Sequence, residues 1–287
     1  MLTLLFDGIA YGMLLFVLAV GLAVTLGLMN FINLAHGAFA MAGGYITVLL
    51  MNHLGVPFLV TLPLAFIGAA LIGAVLEPLL YRRMYGKPHL DQVLFSIGLV
   101  FIAVTAVDYF VGGMQQNIQL PAWLQGRFDI DWVGIGKYRL FIIVVCALLT
   151  LALQAVLTRT RFGAQLRAAV DDPRVAGGLG LNVNRIFLLT FAVGSGLAGL
   201  GGALGAEVLG LDPGFPLKFM IYFLIVCSVG GTTTITGPLL AALLLGVADV
   251  AGKYYVPKLG AFIVYALMIV ILMIRPQGLF ARAGGGK

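Results

Sequence analysis

The segment TRTRFGAQLRAAVDDPRVAGGLGLNVNR, Thr158 to Arg185, carries five arginines and the pair Asp171 and Asp172 between two long apolar runs. It is the charged interruption from which the rest of the chain is read. Phe162, Leu166 and Ala169 share one face at helical spacing while Gln165 and Arg167 face away, which predicts a short helix over 162–170. Asp172 is placed to cap a second helix, with Pro173 at its first position, where a missing N–H costs nothing, and Gly180 as its stop. Asn184 is set to cap the apolar helix that follows. A return loop needs only a few residues, so two capped helices are expected to form a docking element; a merely solvated basic loop needs the charge but not the caps.

Outside this segment the chain prefers hydrocarbon. Of its 287 residues 61% are hydrophobic and only 10% charged, with mean hydropathy +1.09. Soluble domains carry roughly 25% charged residues, so a chain this poor in charge has no water-facing surface to cover itself with and is an integral membrane protein. The apolar runs are long and lack the alternation that a barrel's polar lumen imposes, which selects helices. The expected fold is an all-α polytopic membrane protein with about eight to nine transmembrane helices, some of them broken or half-spanning. It forms a single transmembrane domain over 1–287. Eleven of the 17 Lys and Arg lie in 82–87, 159–185 and 275–287, which are assigned to the cytoplasm together with the C-terminus. The net charge of +6 therefore calls for no nucleic acid. Cys146 and Cys227 sit in apolar runs and suggest neither a structural disulfide nor a metal site.

Two places break the apolar pattern. Asn30, Asn33, His36 and Gly37 interrupt it after the first span, and the run that resumes at Ala38 is shorter than the roughly 20 residues of a perpendicular crossing. In the second half, Phe219 to Val229 and Pro238 to Val250 are separated by Gly230, Gly231, Thr232, Thr233, Thr234, Ile235, Thr236 and Gly237. Polar backbone at membrane depth is tolerated where it is buried in protein or lines a cavity, so both interruptions are candidate pathway segments. His36 has two uses open to it, holding a backbone carbonyl or touching a solute. Asp108, Glu207 and Asp249 lie near span ends, where a structural role is the simpler expectation.

Gly194, Ala198 and Gly202, with Ser195, Gly199 and Ala203 one step round, make the span over 186–206 a close-packing helix deep in the bundle. The chain has no Gly-rich phosphate loop with its Lys and Ser or Thr, no zinc constellation and no nucleophile and base pair, so any ATP hydrolysis belongs to another polypeptide. A self-sufficient carrier or channel is the alternative that the two interruptions allow.

Several segments, in order and across essentially the whole chain, resemble the membrane permease subunits of bacterial ABC importers for branched-chain amino acids. Asn33, Ala35, His36 and Gly37 are similar to that family's N-x-A-H-G signature, and Glu77, Tyr81 and Arg82 to its E-x-x-x-Y-R pattern. Gly163, Arg167, Ala168, Ala176, Gly180, Leu181 and Asn182 resemble its ATPase-docking loop, and Arg275 to Phe280 its closing R-P-Q-G-L-F. Thr233 and Thr234 stand where the family usually has Gly and Ser, and Arg83 where Pro is common. The resemblance implies a multi-pass inner-membrane subunit paired with a second homologous permease, two cytoplasmic ATPases and a periplasmic binding protein. No cofactor is expected in this chain, with ATP and Mg on the partners. It further implies docking through Gly163, Arg167, Ala168, Asp171, Asp172, Ala176, Gly180 and Asn182. Passage would run past Asn30, Asn33, His36, Gly37, Thr232, Thr233, Thr234 and Thr236. Related systems carry urea, amides or aromatic carboxylates, which leaves the solute open.

Overall fold

The computed structural model describes residues 1–29, 31–130, 133–231, 234–276 and 278–279. In chain order the membrane helices are α1 (Leu2–Met29), α2 (His36–Leu54), α3 (Phe58–Leu79) and α4 (His89–Val111), with a 3-10 turn at Tyr81–Met84 between the last two. A hairpin of β1 (Arg127–Ile130) and β2 (Val133–Gly136) precedes α5 (Lys137–Arg159), and the short α6 (Arg161–Asp171) and α7 (Pro173–Gly178) follow it. The bundle closes with α8 (Val183–Leu209), α9 (Phe215–Gly230), α10 (Thr236–Tyr255) and α11 (Gly260–Ile274). Seven of these helices are long and apolar enough to cross a membrane, and α9 and α11 are shorter apolar helices. Among the described residues this gives seven full-length candidate spans and two shorter apolar helices, in keeping with the expected eight to nine helices, some of them half-spanning. The hairpin is the only sheet among the described residues.

The helices alternate in direction between two ends. One end gathers Arg82, the α6–α7 segment and Arg275; the other gathers Asp7, paired with Arg139 at the start of α5, and Lys253 near the end of α10. Glycine rows decide the packing. A side chain at Gly202 would run into the Ala40 carbonyl of α2, one at Gly196 into Phe66 of α3, and one at Gly201 into Leu18 of α1. α8 is thus the deep helix that its small residues predict, since without water expulsion between helices the attraction is close-range dispersion. A second row, Gly8 and Gly12 on α1 with Gly246 on α10, joins those two helices backbone to backbone.

By contrast, α4 buries only the row Gln92, Ser96 and Val100, and turns Leu94, Phe101, Ile102, Tyr109 and Phe110 outward. Such an apolar face is what lipid or another membrane subunit covers.

Candidate functional site

The first interruption begins at membrane depth. His36, the first residue of α2, sets its ring Nε2 2.9 Å from the carbonyl oxygen of Leu18. Leu18 lies eleven residues before the end of α1, about 16 Å of helix rise. Of the two uses left open for His36, the geometry shows the carbonyl contact, and the ring is buried. Gly37 lies against the Pro216 backbone at the start of α9, leaving no room for a Cβ without displacing it.

Backbone donors in this stretch find side-chain acceptors on α4. The Ile32 N–H donates to Gln92 Oε1 at 3.0 Å, and the Leu34 N–H to Ser96 Oγ at 3.2 Å. Gln92 and Ser96, one turn apart on α4, were not singled out from sequence, because a polar pair at that spacing also fits an ordinary helix face. An unsatisfied buried donor costs about 1–3 kcal/mol. The double variant Gln92→Ala/Ser96→Ala is therefore expected to lose about 2–6 kcal/mol, read as a lower unfolding transition of the purified protein. An unchanged transition assigns these bonds no weight.

Around the interruption Tyr81 packs edge-on against Phe31 and Phe95 and lies 4.5 Å, centroid to centroid, from Phe191. Glu77, one turn before it, is fully buried, and Arg82 grips it with both arms, Nε to Oε1 at 3.2 Å and Nη2 to Oε2 at 2.7 Å. Burial pushes the phenols of Tyr81 and Tyr85 upward, and for Tyr85 the Glu77 carboxylate adds to the shift. The spaced Glu, Tyr and Arg are thus a clamp that closes the basic end of α3. Asn33 is buried in the same region, and its Oδ1 has no partner among the described residues.

At the second interruption α9 stops at Gly230, and Gly231 takes φ +74°, a conformation that a side chain would strain. Gly230 packs directly on Pro238 of α10. Thr234 accepts from the Gly237 N–H at 3.3 Å, and Thr236 donates to Thr234 over the same distance. Asn30, Thr232 and Thr233 lie outside the described residues. Leu279 of the closing segment returns to this place, where its N–H donates to the Val229 carbonyl at 2.8 Å.

The basic segment is built as its caps suggest, with two adjustments. Thr160 caps α6 by accepting from the Gly163 N–H, and Asp172 caps α7 by accepting from Arg174 and Val175 at 2.9 and 3.0 Å. α6 is slightly longer than predicted, and α8 is capped by Asn182, accepting from Arg185 at 3.0 Å, and not by Asn184. α7 ends at Gly178, and Gly180 at φ +84° lets the Leu181 N–H return to the Ala176 carbonyl at 3.1 Å. Leu166, Ala169, Ala176 and Ile186 form a small core of their own, separate from that of the bundle. Gly163 sits tightly on the Leu157 backbone, and Arg167 donates to the Leu157 carbonyl, so both fasten α6 to the end of α5. Ala168, Asp171, Arg174 and Val175 are exposed, and Leu179 is 77% exposed.

Residues 4–272 match the family model described as branched-chain amino acid transport system / permease component. The chain belongs to this family. As a member, this permease is 28% identical to the high-affinity branched-chain amino acid transport system permease protein BraD of Pseudomonas aeruginosa, over 97% of its own chain and 95% of that relative. It is 26% identical to the permease protein LivH of the corresponding system in Escherichia coli, over 97% and 94%. It is 28% identical to the probable branched-chain amino acid transport permease protein LivH of Methanocaldococcus jannaschii, over 94% and 90%. No solved structure matches it. The permease is a multi-pass membrane protein, and its motif residues fall on the two interruptions, the Glu77 clamp and the α6–α7 element.

Proposed function

We propose that this permease is one of two membrane subunits of an ATP-driven importer for branched-chain amino acids. A second permease, two ATPases and a solute-binding protein complete the assembly. The observation that carries this reading is the α6–α7 element. It is capped at both starts, holds its own core, and presents Val175 and Leu179 outward, 59% and 77% exposed. Large apolar side chains exposed on a capped helix and at its C-terminal end suit insertion into a groove on a soluble partner. Rigid helices transmit a displacement that a slack loop absorbs, so nucleotide-driven closure of the ATPases reaches α5 and α8 through this element. The gathering of basic residues at this end supports a cytoplasmic position for it and for the C-terminus, in a bacterial inner membrane. ATP and Mg act on the ATPases, and this chain contributes no cofactor. Support for the solute class comes from the relatives, which are permeases of branched-chain amino acid systems. The two interruptions would line the path of alternating access, with Asn33, Gly37, Thr234 and Thr236 nearest to it.

Leu179→Glu in the complete complex, reconstituted with its binding protein, tests the docking. Uptake of labelled leucine is expected to fall at least roughly tenfold, the equivalent of ~1.4 kcal/mol of coupling, with weaker retention of the ATPases. The unfolding transition of the permease is expected to stay in place, because Leu179 lies outside the small core. Uptake by the wild-type permease alone, without ATP, would falsify the importer reading in favour of a self-sufficient carrier.

A further inference from the structure

At the end of the bundle opposite the basic segment, α1, α5, α8, α9 and α10 line a half-open cavity of about 520 Å³. We propose that it is a subsite for a free α-amino acid with an apolar side chain. Asp249 would receive the ammonium, and Arg139 and Lys218 the carboxylate. The proposal rests on the permease reading and adds to it a place within this chain where the solute is held.

Three cations, Arg139, Lys218 and Lys253, line the cavity with two acids, Asp7 and Asp249. The acids are rooted and the cations movable. Asp249 is 2% exposed, whereas the side chains of Lys218 and Lys253 are 60% and 53% exposed. Each cation already rests on a carboxylate, Arg139 on Asp7, Lys218 on Asp212 and Lys253 on Asp249, the last at 2.6 Å. These are the pairs a zwitterion can exchange into without changing the charge balance, while an anion or a cation alone cannot.

The Asp249 end is built for an ammonium. Lys253 Nζ sits on Oδ2 and lies 5.7 Å from the centroid of the Tyr11 ring, a carboxylate and an aromatic face converging on one cation. Oδ1 of the same carboxylate is buried without a well-formed hydrogen bond, and the Tyr222 hydroxyl lies beside the carboxylate. The Lys253 ammonium is held at the end of a flexible stem by an i,i+4 contact and leaves half of the carboxylate unserved. A free ammonium of three donors carries no such tether and can serve both oxygens. Lys253 is thus a tethered occupant that the solute displaces. Leu14, Ile142, Val208 and Phe219 supply an apolar wall beside the charged end, as an aliphatic side chain requires.

The two halves of this exchange respond oppositely to substitution. L-leucine binding would be measured by calorimetry on the purified complete complex in nanodiscs without binding protein, with leucinamide and 4-methylpentanoate as controls lacking one charge each. Asp249→Asn is expected to weaken leucine binding at least tenfold. Lys253→Met, which removes the competitor, is expected to strengthen it severalfold. The wild type should bind leucine better than either control. A merely structural ion pair predicts that both variants lose binding in step with a lower unfolding transition, and that result overturns the subsite. Equal binding in wild type and both variants, or no saturable leucine binding at all, also overturns it. If Asp249→Asn yields no folded complex, the sign of the Lys253→Met effect decides. ATP-dependent leucine uptake by the wild-type complex is scored separately. Uptake without the binding pattern removes the subsite and leaves the permease reading standing, and absence of uptake removes the permease reading itself.

Discussion

Gly202→Leu is expected to cut the yield of folded, partner-bound permease at least roughly tenfold, since overpacking a core costs ~1–3 kcal/mol or more and here the obstacle is backbone. A Cβ at Gly202 meets the carbonyl group of Ala40, which no rotamer change can move aside. α2 and α8 would have to separate, and with them the neighbouring contact of Gly43 and Gly199. Gly98→Leu is the matched control. Gly98 lies on the outward side of α4 with nothing within 4 Å of an added Cβ, and its yield is expected to stay at the wild-type level. Gel filtration of solubilised membranes reads both. Comparable yields for the two variants would remove close packing as the reason for the glycine row.

Arg82→Ala is the second large effect. It leaves Glu77, 0% exposed, as a buried carboxylate without its partner. Breaking a buried pair from one side costs roughly 3–5 kcal/mol. The Arg82 side chain is 36% exposed, so water reaches its half of the pair and the expected loss is at the lower end, about 3 kcal/mol. Glu77→Leu/Arg82→Leu should recover most of that loss, because removing both charges removes the desolvation penalty along with the attraction. Thermal unfolding of the two variants beside the wild type gives the comparison. A double variant no more stable than the single one would mean that the clamp contributes attraction beyond offsetting its own burial.

What was legible beforehand is what is local. The apolar face of Leu166 and Ala169, the cap at Asp172 and the left-handed Gly180 all act within one or two helical turns, and the sequence carries each in full. Asn182 and Asn184 compete for one cap within two residues of each other, and residue type alone does not separate them. The interruption at Asn33 to Gly37 stood out by its polarity, but its acceptors Gln92 and Ser96 lie some sixty positions away. No periodicity links two such places. By sequence Asp249 is a span-end acid; its i,i+4 partner Lys253 is within reach of helix spacing, and its burial follows only from the fold. Gly8 and Gly12 likewise gained meaning once α10 was laid beside them.

The bonds from Gln92 and Ser96 to the first interruption also bear on how the chain is made. Ile32 and Leu34 leave the ribosome 60 and 62 residues before the side chains that accept from them. At ~5–20 residues per second that interval is roughly 3–12 s. Through it the turn between α1 and α2 sits in or beside the insertion machinery with two donors waiting, a state that hydrocarbon penalises. Biogenesis of the N-terminal half is therefore completed by the arrival of α4, and a nascent chain stalled before Ser96 should remain accessible to an insertion chaperone.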